Sequence, residues 1–403
     1  MELIKIIVSI AVWALFVYLT IAVGYMLVFA VAGWFRKQQN SFSQNYKRMA
    51  VLIPAYKEDV VILEVASKAT KQDYPSGSYD VFVIADSLQD QTLHDLRSLP
   101  IQLIKVSFDK STKSKALNRA MDCIDDSYDI AVVLDADNIM AADFLRKVNN
   151  AFDCDFHVVQ GRRVAKNHNT SFAILDGVSE AINNHIFRLG HRGLGLSSGL
   201  IGSGMAFNFS LFKAIMNEVQ AVGGFDKELE FRLFQEGYKI EYLNDALVYD
   251  EKIQNPADFN NQRRRWLSTN LIYFRRFFWT GLRTALQKGN IDIVDKLFQM
   301  ILLPRILLLG LVFICSFIHL ALSIIWPESS WLVQPQNWHI LSLLVLLTFL
   351  ISIPRMYYSK ETLSACLSAP RAFVIMFLLL FRLKGANKEF IHTEHHSAGS
   401  QSI

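Results

Sequence analysis

Residues 6–34 run almost without a polar side chain, and no other feature of the chain restricts its fold so tightly. A helix rises ~1.5 Å per residue, so this stretch exceeds the ~30 Å hydrocarbon core of a bilayer and can cross it once, with tilt, but not twice. Ala30-Val31-Ala32 imitates a signal-peptidase site. The apolar stretch is nevertheless far longer than the ~7–15 residues of a secretory signal, which points to a retained anchor. Arg36, Lys37, Lys47 and Arg48 follow it, setting the next domain in the cytoplasm and the N-terminus outside.

Two more spans are expected, at 306–326 and 338–358. The connector 327–337 holds Glu328, two prolines and no Lys or Arg, whereas Arg305 precedes the first span and Arg355, Lys360 and Arg371 follow the second, so the connector belongs outside. The run 372–381 is too short to cross, and Arg382 and Lys384 follow it, which suits an interfacial or re-entrant segment with a cytoplasmic tail. His392, His395 and His396 in that tail read as part of a flexible polar end rather than a metal site. Between 269 and 285, Leu271, Ile272, Phe274, Phe277, Phe278 and Leu282 interleave with Arg275, Arg276 and Arg283, the composition of a helix lying along lipid headgroups.

The remainder does not look like membrane. A mean hydropathy of +0.23 and 52% hydrophobic residues are too high for a purely soluble enzyme, while 19% charged residues exclude a chain buried throughout in lipid. The net charge of +4 is small and the basic residues gather beside apolar runs, so nucleic acid is not an expected partner. Cys123, Cys154, Cys315 and Cys366 are scattered without a Cys-x-x-Cys pair, which argues for a reducing compartment and against a disulfide framework or zinc site.

From about 48 to 255, short β-rich runs alternate with helical stretches, as in a layered α/β domain with a mainly parallel sheet. Strands are expected at 49–53, 81–85, 101–106, 130–134 and 157–160, with helices at 60–70 and 114–124. Ligands of such sheets collect beyond the carboxyl ends of the strands. That rule separates two Asp-x-Asp pairs. Asp135-Ala136-Asp137 directly follows a strand, where two carboxylates can hold a hard divalent cation and its phosphate ligands, whereas Asp153-Cys154-Asp155 follows a helix and reads as a solvated turn.

Asp86 also follows a strand and is placed either to hydrogen-bond a nucleoside or to cap the next helix. Pro54-Ala55-Tyr56-Lys57-Glu58-Asp59 gives a turn and an acidic helix start on the same crevice. Lys113 and Lys115 open a helix, where a lysine can face phosphate. Gly202-Ser203-Gly204 permits close backbone approach to a ligand or simply a turn. Asp226, after Gly223-Gly224-Phe225, stands at a helix start as a cap or as a base. Finally, Gln262-Arg263-Arg264-Arg265-Trp266 joins guanidinium groups, which bind phosphate oxygens in a fork, to an indole that stacks on ring faces.

Together these residues resemble the membrane-embedded family-two glycosyltransferases, the group that includes cellulose, chitin and hyaluronan synthases and ceramide glucosyltransferases. The resemblance covers about 45–270 closely and the membrane layout loosely. The family pattern of a first Asp, a DxD, a third Asp and Gln-x-x-Arg-Trp becomes Asp86, Asp135 with Asp137, Asp226, and Gln262, Arg265 and Trp266. Two positions depart from it. The usual Glu-Asp pair reads Phe225-Asp226, leaving Glu228 as a fallback base, and the Asn common in the first-strand motif is Lys57.

The resemblance implies a GT-A nucleotide-sugar-binding α/β domain inserted between an N-terminal transmembrane helix and C-terminal interfacial and transmembrane helices. The expected divisions are an anchor at 1–36, the GT-A domain at 45–268, interfacial helices at 269–304, a transmembrane hairpin at 305–358, and an interfacial segment with a tail at 359–403. It further implies an inverting transfer with Asp226 as base. The donor, with a uracil base, would be held by Asp86, Lys115, Asp135 and Arg265. Gly204, Gln262 and Trp266 would face the acceptor, and Asp135 and Asp137 would hold Mg2+ or Mn2+. The implied location is the plasma membrane, with several spans and the catalytic domain facing the cytoplasm.

The acceptor is expected to be a growing saccharide, since the Gln-x-x-Arg-Trp string is intact, with single-sugar transfer to a lipid as the alternative. A glycoside hydrolase, with two carboxyl groups across a sugar bond, would leave the arginine cluster and the strand-end DxD unexplained. A non-catalytic binding partner would not need so complete a set of carboxylates.

Overall fold

The computed structural model describes residues 2–37, 45–221, 223–326 and 331–382. Glu328, Lys384, His392, His395 and His396 lie outside the described residues, so the expectations placed on them have no structural counterpart. The centre of the molecule is an eight-stranded sheet ordered β3-β2-β1-β4-β7-β6-β8-β5. Its strands are β1 Met49–Tyr56, β2 Tyr79–Asp86, β3 Gln102–Val106, β4 Ile130–Val133, β5 Ile139–Met140, β6 Val158–Ala165, β7 Met205–Asn208 and β8 Ile240–Asp250.

β1 reads Met-Ala-Val-Leu-Ile and β4 Ile-Ala-Val-Val, and all of these residues are buried, as expected of central strands covered on both faces. Side chains alternate across the sheet. Ala50 and Leu52 join the core formed with the helices Lys113–Cys123, Phe209–Met216 and Phe225–Gln235. Met49, Val51 and Ile53 join the opposite core under Ile62–Ala69 and Phe144–Phe152. Cys123, Cys154, Cys315 and Cys366 are free thiols.

The expectation of a mainly parallel sheet needs correction, because the sheet is mixed. β3, β2, β1 and β4 run parallel, but β7 runs against both β4 and β6, and β5 runs against β8. Val133 of β4 faces Met205 of β7, so the reversed strand brings the Gly202-Ser203-Gly204 loop to the carboxyl end of β4.

The string Gln262–Trp266 and the stretch expected at the headgroups form one helix, Pro256–Lys288, so the expected division at 268/269 falls inside a continuous element. Asn255 caps it, accepting from the backbone N–H groups of Ala257 at 3.1 Å and Asp258 at 3.0 Å, and Gly289 ends it in the left-handed region. Here too the sequence reading is corrected. Phe274, Phe277, Phe278 and Leu282 pack on the protein core instead of facing lipid, and Phe277 stacks on Phe231 with ring centroids 4.3 Å apart. At 3.6 residues per turn, Tyr273, Phe277, Gly281 and Ala285 share one buried face, leaving Ile272, Arg275, Arg276, Trp279, Arg283 and Leu286 outside.

Among the described residues, three helices are long and apolar enough to cross a membrane: Glu2–Phe35, Arg305–Ile325 and Pro335–Ser352. The helices Lys360–Cys366 and Ala369–Leu379, bent by 42° at a short break, pass the same test only as a pair. The third helix stops at Ser352, short of the expected 358, because Pro354 cannot extend it. The N-terminal helix is more than a tether. Its residues from Leu19 to Gly33 include a buried stripe against the π-helical turn His185–Gly190, which continues the helix Ser171–Asn184, and against the helix Pro335–Ser352. A Cβ on Gly190 would lie 2.1 Å from the Phe29 carbonyl oxygen, and one on Gly193 2.6 Å from that of Ala32. Only glycine permits this approach.

Candidate active site

Four strand or helix ends converge on one cavity of about 910 Å³. β2 delivers Asp86, which is 2% exposed and accepts from Ser87 Oγ at 3.0 Å. Beside it, the Lys57 N–H donates to the Asp86 carbonyl at 3.1 Å. Lys57 and Ser87 both have φ near +60° (56° and 58°), a costly conformation for a residue with a side chain, so the ends of β1 and β2 are held in a strained crossing next to the carboxylate.

β4 delivers Asp135 and Asp137. The Asp135 N–H donates to Ser203 Oγ at 2.9 Å and Asn138 Nδ2 donates to the same oxygen at 2.7 Å, so the glycine-flanked serine positions the acidic loop. Lys113 Nζ bridges the Asp135 carboxylate and the Gly202 carbonyl, the latter at 2.6 Å. Two hard carboxylate oxygens at the cavity wall fit a divalent cation, although no group of three His, Cys, Asp or Glu residues that could hold a metal exists among the described residues. Phosphate and water oxygens would complete the shell.

Helix Phe225–Gln235 delivers Asp226. Its N-cap is Gly224 at φ 66°, where a Cβ would meet Thr269 Cγ2 at 2.3 Å. Gly224 therefore occupies the cap, and Asp226 stands within the first turn on the cavity wall. Glu228, the fallback, is fully buried, ion-paired at 3.1 Å to both Arg232 and Arg276, and absent from the cavity lining.

Helix Pro256–Lys288 delivers Gln262, Arg265 and Trp266, which at spacings of three and four share one face. Gln262 Oε1 is buried without a hydrogen-bond partner among the described residues, an acceptor facing a site that can supply a donor. Burial lowers the pKa of Arg265, with the charge of Asp135 opposing. Arg263 instead pairs with Asp176 and lies over Trp266, 4.3 Å from the ring centroid, and Arg264 donates to the Arg382 carbonyl at 2.8 Å, tying this helix to the C-terminal segment.

Two expected contributors lie elsewhere. Lys115 Nζ donates to the Lys110 carbonyl at 2.9 Å, two residues round the helix from Lys113, which takes the place at the cavity. Gly204 sits behind the lining, its carbonyl accepting from the Gly161 N–H at 2.7 Å, while Gly202 faces the cavity. The second Asp-x-Asp is a turn, as expected, with Asp153 paired to Lys47.

Sequence reading missed an ion network that also lines the cavity. Arg163 pairs with Glu180 at 2.9 Å, Arg188 with Glu180 at 3.3 Å, and Lys252 with Asp250 at 2.5 Å. Burial opposes ionisation of Glu180, but Arg163, Lys252 and Arg188 outweigh it and hold its carboxyl well below the usual range. No local pattern signals this network, since its members come from two strands, a helix, the π-helical turn after it and a loop. The lining also includes the apolar residues Phe187, Leu267, Leu302, Pro304 and Met376, of which Leu302 and Pro304 closely precede the apolar helix Arg305–Ile325.

Residues 47–269 match the family described as glycosyltransferase like family 2. Among curated relatives, a beta-monoglucosyldiacylglycerol synthase of Trichormus variabilis is 26% identical over 238 residues, covering 57% of this chain and 50% of the relative. One of the same name from Synechocystis sp. is 26% identical over 277 residues, covering 64% and 55%. This chain thus spans about half the length of the curated relatives it matches. Among solved structures, a mannosyltransferase from Pyrobaculum calidifontis in complex with GDP-Man and Mn2+ aligns with a TM-score of 0.52 at 17% identity, covering 91% of this chain and 96% of that one. The shared fold is GT-A.

Proposed function

The chain belongs to glycosyltransferase like family 2, and from that membership we propose that it moves one sugar from a nucleotide sugar to a hydroxyl group of a membrane lipid. The observation that carries this reading is the continuity of the cavity, from Asp86 past Asp135, Asp137 and Asp226 to Leu302, Pro304 and Met376 beside the apolar helices. In this reading a lipid headgroup lies against Asp226 while its tails stay among those apolar side chains. The curated relatives, named as synthases of a glucosylated diacylglycerol, support the same acceptor class. The expected lean toward a growing saccharide is accordingly revised in favour of its alternative.

In the proposed reaction, the acceptor oxygen attacks the anomeric carbon, the bond from that carbon to the diphosphate breaks, and the acceptor proton passes to Asp226. Asp86 binds the base of the nucleotide, and Arg265 and Lys113 face the diphosphate as charge leaves with it. Gln262 and Trp266 orient the acceptor. A divalent cation held by Asp135 and Asp137, when bound, offsets negative charge on the leaving group.

Purified protein in mixed micelles, supplied with diacylglycerol or with a soluble oligosaccharide and radiolabelled UDP- or GDP-sugars, tests the proposal. The expected label enters the organic phase as a single glycolipid and depends on added Mg2+ or Mn2+ after chelation. Label confined to a water-soluble polymer would restore the saccharide reading.

A further inference from the structure

Arg305 opens the helix Arg305–Ile325 and is the only Lys, Arg, Asp or Glu in it. Its guanidinium is held across the fold by the helix Ser171–Asn184: Nη1 donates to Asn183 Oδ1 at 2.5 Å and Nη2 to Ser179 Oγ at 2.8 Å. Both acceptors are neutral, so they aim the group without offsetting its charge. Arginine carries five N–H donors, and the other three have no partner among the described residues.

The carboxylates whose charge reaches Arg305 are Glu180 and Asp176, and both are committed elsewhere. Asp176 pairs with Arg263, and Glu180 with Arg163 at 2.9 Å and Arg188 at 3.3 Å. Two carboxylates thus serve three arginines already, and Arg305 adds a fourth cation. A partly buried guanidinium without a counter-ion is costly, which calls for an anion at its free N–H groups. The surroundings say which kind. Asn183 and Pro304 line the cavity, while Ile306 and Leu307, directly after Arg305, pack with Phe172, Ala372 and Met376. A cationic fork therefore stands beside an apolar wall, at the start of a helix long and apolar enough to cross a membrane, where a phosphate with acyl chains attached satisfies both.

We propose that Arg305, aimed by Ser179 and Asn183, binds the phosphate of an anionic phospholipid at the edge of the cavity. The inference rests on the reading of Arg305–Ile325 as a membrane span and is independent of the transfer reaction. The phosphate of the acceptor itself and that of a phospholipid packed beside it present the same chemistry to the guanidinium, and a transfer assay separates them.

The test is titration of the full chain, in an uncharged detergent, with phosphatidylglycerol or with diacylglycerol, the bound lipid being counted by native mass spectrometry. Wild type should hold the phospholipid about tenfold more tightly than the neutral lipid, and Arg305→Gln should lose about tenfold for the phospholipid alone. Arg305→Lys, a point charge without the fork, should recover part of that loss. Arg355→Gln, which removes an exposed arginine after the helix Pro335–Ser352, should stay within about twofold of wild type. Equal affinity of the wild-type chain for the two lipids overturns the inference, and that result needs no variant to fold. An equal loss in Arg355→Gln also overturns it, since the binding would then belong to a diffuse basic collar. With radiolabelled UDP-glucose added, label in a phosphoglycolipid makes the bound phospholipid the acceptor, and label in a glucosylated diacylglycerol makes it a neighbour; either result keeps the site. Phospholipid binding through Arg305 without sugar transfer to any lipid would sink the proposed reaction and leave this inference standing.

Discussion

At the scale of single residues, what a side chain can do depends on where its backbone aims it. Lys113 and Lys115 are equivalent in composition, yet two residues of helix put one against Asp135 and the other against the Lys110 carbonyl. Lys113→Met should therefore cut kcat/KM by about 10- to 100-fold through weaker donor binding, while Lys115→Met should stay within about twofold of wild type. Asp226→Asn should reduce transfer by about 10²- to 10⁴-fold while nucleotide affinity, read by titration calorimetry, is preserved. An active Asp226→Asn protein would send the base role elsewhere, and Glu228, clamped between Arg232 and Arg276, is not placed to accept it. Asp86, Asp135, Asp137, Asp226, Gln262, Arg265 and Trp266 were legible beforehand because each follows a strand or opens a recognisable string, and all line one cavity. Arg163, Glu180 and Lys252 were not, because a buried ion network has no signature in neighbouring residues.

Secondary-structure elements show where pattern reading works and where it stops. The helix Pro256–Lys288 carries phenylalanines and arginines in a mixture that composition alone assigns to a lipid surface. Its register sends Phe274, Phe277, Phe278 and Leu282 into the protein and leaves Ile272, Trp279 and Leu286 outside among arginines. Similarly, the apolar run of the N-terminal helix announces a span but not its contact with the turn His185–Gly190. That contact depends on Gly190, so Gly190→Val should force the two backbones apart and destabilise the protein by about 1–3 kcal/mol. Thermal unfolding would register the loss, and the N-terminal helix should become open to proteolysis at its C-terminal end, whereas Gly24→Ala, with nothing within 4 Å of the added Cβ, should change neither.

Across the whole molecule, one cavity gathers the strand-end carboxylates, the ion network around Glu180 and apolar side chains such as Leu302, Pro304 and Met376. With the positive residues flanking the spans, the proposed orientation puts the GT-A domain in the cytoplasm. A Gln336→Cys chain should then react with an impermeant thiol reagent added to intact cells, and protection of that thiol would reverse the orientation. The residue pattern alone determined that this chain joins helices long and apolar enough to cross a membrane to a layered α/β domain with strand-end carboxylates, because burial periodicity, helix length and strand-end chemistry are written locally. Only the tertiary structure decided that the sheet is mixed, that Lys113 and Gly202 stand where Lys115 and Gly204 were expected, and that the cavity lining includes Leu302, Pro304 and Met376 beside the apolar helices. Those outcomes depend on which distant segments pack together, and packing energy is shared among residues that no local window contains.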